Sequence, residues 1–245
     1  LTTVGASYFN RLYLSDITVQ ASGGATLSLY GATSTPGVTD FRLVNAEGIA
    51  DSSGDTEGNC GAPFLPGTFQ ATDVVICRSG AVATWVIGNF VNAGGASAVI
   101  IYNDDGSYDL NSYLYSIPAV RILTSAGEQL KQFMADHSGE QIKASFTQGT
   151  AVLAPDSRVP VDTVVGFSSR GPALNQAQNQ LIDVIKPDVT APGIHVLAGA
   201  SPEHVSEANG ELDLYGAQGQ LFQVIQGTSM SSPHVAGVGA LMKAL

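Results

Sequence analysis

The segment that most constrains the fold is the last nineteen residues, GTSMSSPHVAGVGALMKAL (227–245). The apolar run LFQVI (221–225) precedes it and predicts a short buried strand, which Gly227 ends. Apolar residues then recur at three- and four-residue spacing, which predicts a helix packed closely on most sides: Val235, Val238, Leu241, Met242 and Leu245. Pro233 falls in the first helical turn, where its missing N–H is not needed.

Ser229 lies in this predicted strand-to-helix turn. The first N–H groups of a helix are unpaired and carry the positive end of its dipole, so they can stabilise an oxyanion beside the hydroxyl. A serine hydroxyl also needs a base within hydrogen-bond reach. His234 follows five residues later, about 140° away around a helix, so we interpret it as a packed helical residue and not as the base.

The run GTSMSSPHVAG (227–237) resembles the nucleophile segment of the subtilisin-like serine proteases, with Ser229 at the position of their catalytic serine. The segments TTVGAS (2–7), GFSSRGP (166–172) and IKPDVTAPGIHVLAGA (185–200) resemble other parts of that family. Within them the pattern predicts a strand at 161–167, a rigid proline-bounded connection at 186–193, and a strand near 196–198.

Residues 38–147 form a distinct module by composition, with 12 of the 21 acidic residues and 5 of the 10 basic ones. The pattern predicts buried strands at 74–77 and 98–102, and helices at 83–93 and 125–135, the second capped by Ser125. Four ordered segments resemble the protease-associated domain: DVVICRSG (73–80), NAGGASAVIIYND (92–104), IPAVRI (117–122) and SAGEQL (125–130).

These resemblances imply an α/β fold, in which a partial subtilisin-like doubly wound parallel sheet is interrupted by a smaller, β-rich protease-associated domain. They assign 1–37 to the catalytic domain before the insertion and 38–147 to the inserted domain. The last part, 148–245, is then the catalytic segment that carries the nucleophile.

The family's histidine and aspartate segments do not occur in this chain, and its oxyanion-hole asparagine would precede Leu1. No motif places His137, His195 or His204 on Ser229, so none is predicted as the base. Both ends of the chain resemble the interior of a longer protein. We therefore expect a parent serine endopeptidase that acts on protein or peptide substrates through Ser229. We expect the chain alone to be inactive without the N-terminal part of its catalytic domain.

Charge and composition limit the partners and the compartment. The formal net charge of −11 argues against a nucleic-acid partner, and no apolar run reaches the ~18 residues of a membrane span. Cys60 and Cys77 lack the additional ligands of a zinc site, so a disulfide is favoured over a metal. This disulfide would close a loop of about 16 residues, worth ~3 kcal/mol, and would need an oxidising compartment. We therefore expect a secreted protein, because the extracellular compartment is oxidising.

The sequence bears on three alternatives, which are another class of hydrolase, a non-catalytic scaffold and a calcium site. A Gly-x-Ser-x-Gly hydrolase is disfavoured because Ser231 stands where that elbow needs glycine. A non-catalytic scaffold, in which 38–147 binds protein partners or self-associates, stays open. No cofactor is implied. A structural calcium ion also stays open, although the acidic run 103–109 has Tyr108 where an EF-hand loop needs glycine, which favours a solvated turn.

Overall fold

The computed structural model describes residues 1–102, 110, 112–172, 174–175, 180–181, 184–199, 205–208, 211–214 and 221–244. The helices are α1 (Ile87–Ala93), preceded by a 3-10 turn at Thr84–Val86, α2 (Thr124–Asp136) and α3 (Thr228–Ala244). The strands are β1 (Val4–Ser7), β2 (Arg11–Ala21), β3 (Thr26–Ala32), β4 (Val38–Asn45), β5 (Asp73–Arg78), β6 (Ala98–Tyr102), β7 (Ala119–Ile122), β8 (Ile142–Phe146), β9 (Thr150–Leu153), β10 (Leu174–Asn175), β11 (Gln180–Leu181), β12 (Val189–Pro192), β13 (Val196–Gly199), β14 (Val205–Ala208), β15 (Glu211–Leu214) and β16 (Phe222–Ile225).

The chain divides into two compact units. Unit 1 comprises Leu1–Leu12, Val152–Ala198 and Val224–Leu245, and unit 2 comprises Tyr13–Ala151 and Gly199–Gln223. Both contain parallel strand pairs, which confirms the prediction of an α/β fold.

An eight-stranded sheet dominates unit 2, in the order β3-β7-β6-β5-β4-β8-β2-β9. Because β2 also pairs with β3, seven of these strands close into a ring, and β9 lies outside it. The strands β4, β5, β6 and β7 run parallel, and β2 is antiparallel to both β3 and β8. Closing the ring leaves few unpaired strand edges in this sheet.

The apolar runs predicted as strands at 74–77 and 98–102 lie in β5 and β6, with both faces covered. Ile76 belongs to a hydrophobic cluster with Leu130 of α2, whereas Val75 belongs to a second cluster with Ile87 of α1. Burial on both faces explains why these strands are continuously apolar instead of alternating with polar residues. The predicted helix at 83–93 corresponds to the 3-10 turn followed by α1.

Cys60 and Cys77 form the predicted disulfide, with their Cα atoms 5.8 Å apart. Both cysteines are buried, and Cys77 belongs to β5. The bridge therefore ties the segment before β5 to the centre of the sheet.

Other sequence predictions differ from the structure in detail. The helix predicted at 125–135 begins at Thr124, and the residue before it, Leu123, makes no side-chain cap, so the capping role given to Ser125 was wrong. The backbone carbonyl of Leu123 instead accepts the N–H groups of Ala126 and Gly127, at 3.0 and 2.9 Å.

The eight-stranded sheet also extends beyond the interval 38–147 on both sides. It includes β2 and β3, which the sequence analysis placed in the first catalytic segment, and β9, which follows the interval. The domain boundaries and the assignment to a protease-associated domain stay predictions.

Unit 1 is built on the parallel pair β1 and β12, in register from Val4 opposite Val189 to Ser7 opposite Pro192. Helix α3 lies against both strands. The predicted connection at 186–193 thus contains a strand. The strand predicted at 161–167 was wrong, because this segment turns beside β1 and shares only the bridge between Ser7 and Val164.

The apolar residues of α3 are more exposed than predicted. Among its described residues only Ser231 is buried, and Val238, Leu241 and Met242 are 55%, 70% and 72% exposed. In β16, Phe222 is 60% exposed while Val224 is buried. The prediction of close packing on most sides was wrong for this chain, because the described strands cover one side of the helix only. Within the described residues, no helix combines the length and the apolar character that a membrane span requires.

Candidate nucleophile site

The predicted strand-to-helix turn is present. Strand β16 ends at Ile225, Gly227 adopts φ = +143°, and α3 begins at Thr228. Residues with a side chain rarely adopt this φ, so glycine permits the reversal. Ser229 is consequently the second residue of α3, and its side chain is exposed.

Backbone hydrogen bonds hold this turn against the sheet. The N–H of Gly227 donates to the carbonyl of Gly193 over 2.8 Å, and the N–H of Gly193 donates to the carbonyl of Ser7 over 3.0 Å. The N–H of Met230 donates back to Gly227 over 2.9 Å. The turn is therefore fixed at the carboxyl ends of β1 and β12, the edge of a parallel sheet at which α/β proteins usually bind ligands.

Two polar groups of Ser229, its hydroxyl and its backbone N–H, bear on the predicted nucleophilic role. Within the described residues neither its hydroxyl nor its backbone N–H has a hydrogen-bond partner. The N–H lies in the first turn of α3, where the helix dipole adds positive charge. One exposed residue thus has a hydroxyl oxygen and, at the positive end of the helix dipole, a backbone N–H donor.

A cleft of about 250 Å³ lies beside the strand-to-helix turn at Gly227, here called the nucleophile turn, with Thr228 in its wall. The other lining residues are Thr3, Val4, Gly5, Ser169, Arg170, Gly171, Lys186 and Pro187. Lys186 hydrogen-bonds Asp188 at 2.7 Å, and this contact lowers the pKa of the Asp188 carboxyl below its usual value. The cleft is a concave surface next to Ser229.

The segment GFSSRGP forms part of this wall because it is hydrogen-bonded to β1. The Ser168 hydroxyl is buried and accepts the N–H of Ala6 at 2.9 Å, and the N–H of Val165 donates to the Ala6 carbonyl at 3.1 Å. These two bonds hold the chain against β1 in place of the strand that the sequence predicted at 161–167.

None of the described imidazoles hydrogen-bonds the Ser229 hydroxyl. His234 is exposed, and its Nδ1 donates to the Met230 carbonyl over 2.7 Å. His195 is 2% exposed, with φ = +53°, and His137 contacts Glu140 in unit 2. His204 lies outside the described residues. The catalytic role of Ser229 and the absence of its base stay predictions.

No group of three or more histidine, cysteine or carboxylate side chains that could hold a metal was found in the part of the chain that the structure describes. The acidic run 103–109 lies outside it. The sequence analysis also missed Gly193, the residue that joins the nucleophile turn to β1, although its glycine directly after Pro192 was the available signal.

Residues 51–245 match the family model described as the subtilase family, peptidase S8. The chain belongs to the subtilase family. It is 32% identical over 251 residues to subtilisin-like protease SBT1.4 of Arabidopsis thaliana, covering 99% of this chain and 29% of that protein. With SBT1.5 of the same plant it shares 27% identity, over 100% of this chain and 31% of the relative. The chain thus spans about 30% of the length of these subtilases.

An aminopeptidase from Aneurinibacillus sp. strain AM-1 aligns to the structure with 18% identity and a TM-score of 0.36, over 62% of this chain and 42% of that one. This likeness is too low to inform the fold or the site.

Proposed function

We propose that this chain is the nucleophile-bearing part of a secreted serine endopeptidase, which hydrolyses peptide bonds through an acyl-enzyme on Ser229. The observation that carries the proposal is the exposed Ser229 in the first turn of α3, whose hydroxyl and backbone N–H have no hydrogen-bond partner in the part of the chain that the structure describes. Membership of the subtilase family supports this reaction class.

In the proposed reaction the Ser229 oxygen attacks the carbonyl carbon of the scissile peptide. Its proton passes to a histidine, which then protonates the leaving amine. The N–H of Ser229 donates to the oxyanion. Water then attacks the acyl-enzyme, releases the second product and restores the hydroxyl. No cofactor is needed for any of these steps.

The histidine, an aspartate that orients it and an asparagine that completes the oxyanion hole are expected from residues that precede Leu1 in the parent protein. The motivation is that the family's motifs for these groups do not occur in the chain, which spans about 30% of its relatives. Gln226 and Thr228 flank the nucleophile turn, and we expect them to shape the side on which the leaving group departs.

The eight-stranded sheet of unit 2 is proposed as a protease-associated module that contacts large substrates or other copies of the protein. Its two hydrophobic clusters and its disulfide support a module that has a core of its own. The disulfide also supports secretion, because such bonds persist in oxidising compartments.

A fluorophosphonate probe, which reacts with activated serines, tests the proposal. The parent protein should be labelled at Ser229, and the Ser229→Ala variant should lose the label while it unfolds at an unchanged temperature. Ser232→Ala is the matched control, because its exposed hydroxyl bonds the Thr228 carbonyl of the same helical turn. The 245-residue chain alone should not be labelled.

Labelling of the isolated chain at Ser229 would contradict the statement that its base lies elsewhere. A folded parent protein that neither labels nor cleaves peptides would favour the non-catalytic scaffold.

A further inference from the structure

Gly193 occupies the point where β12 and the nucleophile turn meet. Its N–H donates to the carbonyl of Ser7, and its own carbonyl accepts the N–H of Gly227. A residue with a side chain could make both backbone bonds, so hydrogen bonding alone does not explain the glycine.

The lack of space for a side chain explains why glycine occupies this position. A Cβ atom added at Gly193 would lie 2.5 Å from the Ala6 Cβ, 3.0 Å from the Gly227 carbonyl oxygen, and closer still to the Ser231 hydroxyl oxygen. The Ala6 Cβ is bonded to the backbone of β1 and the Gly227 oxygen is a backbone atom, so neither can move aside unless the backbone moves, and only the Ser231 hydroxyl could rotate. Real Cβ atoms essentially never come within 3.0 Å of another such atom, so the contacts with Ala6 and Ser231 would force a shift.

Ser231 faces Gly193 from the first turn of α3, two residues after Ser229. It is fully buried, and its hydroxyl has no hydrogen-bond partner among the described residues. A buried hydroxyl without a partner is unfavourable, so the position of this side chain is set by packing. The Ser231 hydroxyl occupies the space that the absent side chain of Gly193 leaves free.

We infer that Gly193 and Ser231 are positioning residues, whose contact sets how closely the first turn of α3 approaches the β1–β12 pair and thereby places the Ser229 oxygen. This inference rests on the proposed function of Ser229. The two serines share one rigid helical turn, so a displacement at Ser231 moves Ser229 by a similar distance. A misplacement of about 1 Å can lower a catalysed rate by about 100-fold.

The test uses the parent protein and measures kcat and KM for a peptide substrate, the rate of fluorophosphonate labelling, and the thermal unfolding midpoint. Gly193→Ala should lower kcat and the labelling rate by about 10- to 100-fold, with KM within about twofold, because the nucleophile moves whereas, of the described residues that line the cleft, only Thr228 belongs to α3. Gly139→Ala is the matched control, since no atom lies within 4 Å of the added Cβ there.

A second substitution distinguishes a loss of positioning from a general disruption of the fold. Ser231→Ala removes the oxygen that the new Cβ would strike, so Gly193→Ala with Ser231→Ala should recover about 3- to 10-fold of the lost kcat. Ser231→Thr approaches the same contact from the helix and should reproduce the loss while Gly193 is intact. It decides the question if Gly193→Ala does not fold.

Inactivity of the wild-type parent would refute the proposed function. An active wild type with a folded Gly193→Ala variant of unchanged kcat and labelling rate would refute the positioning role alone. An effect of Gly193→Ala on KM alone would also overturn the positioning role. So would a kcat loss in the double variant that equals the product of the fold losses in the two single variants.

Discussion

The disulfide between Cys60 and Cys77 should supply a large part of the stability of unit 2. The bridge closes a loop with a sequence separation of 17 residues. On the chain-entropy estimate, a loop of this length stabilises the folded state by about 3 kcal/mol. Domains of this kind are stable by about 5–15 kcal/mol, so the bridge is a substantial fraction of the total.

Trp85 allows this contribution to be measured within unit 2. It is the single tryptophan of the chain, and its ring packs edge-on against Tyr113 with centroids 5.3 Å apart. Its fluorescence should therefore report the loss of packing around α1. Urea unfolding of the wild-type chain with and without reductant involves no substitution. The difference in unfolding free energy therefore contains no contribution from a change in side-chain volume.

Reduction should lower the unfolding midpoint by about 1–3 M urea, which is 3 kcal/mol divided by a typical slope of about 1–3 kcal/mol per M. Cys60→Ser with Cys77→Ser is the control, and its midpoint should not respond to reductant. A wild-type midpoint that moves by less than about 0.3 M would refute the reasoning, because the loop would then constrain little in the unfolded chain.

Three further predictions concern single residues. Gly227→Ala should destabilise the chain by about 1–3 kcal/mol, measured by urea unfolding, because alanine is strained at the φ of +143°. Asp73→Asn should lower the free energy of unfolding by about 2 kcal/mol, measured by urea unfolding with Trp85 fluorescence. The reason is that the buried carboxylate accepts two guanidinium hydrogen bonds from Arg42, at 2.8 and 2.6 Å. Hydrogen bonds from Arg158 lower the pKa of the partly exposed Asp156 to about 2, so this pairing favours the fold above about pH 4 and is lost as the pH falls towards 2. A carboxyl NMR titration should show that midpoint, and Arg158→Ala should return it towards about 3.9.

The sequence predicted those parts of unit 2 in which burial determines the residue types. β6 and the residues of β5 between Asp73 and Arg78 are apolar because helices cover both faces, and the helix near Leu130 has an apolar face of its own. The closed ring was not predictable in this way. It depends on β2 pairing with both β3 and β8, and the partner β8 lies more than a hundred residues along the chain.

Unit 1 was predicted less well because its local signals conflict with its pairing. Prolines bound β12 and suggested a rigid connection, yet Pro192 ends the strand, where a missing N–H matters little. Residues 161–167 carry the apolar pattern of a strand, but the positive φ of Asp162 and the side-chain bond from Ser168 to β1 replace regular pairing. Neither feature has a clear signal in the sequence.

The geometry of α3 bears directly on the source of the base that Ser229 would need. A separation of five residues places His234 about 140° from Ser229 around the helix, and its Nδ1 donates to the Met230 carbonyl four residues before it. That bond holds the imidazole along its own face of the helix. Turning the His234 ring towards Ser229 would break this hydrogen bond, and the angle of about 140° between the two positions would still keep the ring away from the hydroxyl. A base for Ser229 must therefore approach from a segment other than α3, on the side where the hydroxyl is exposed.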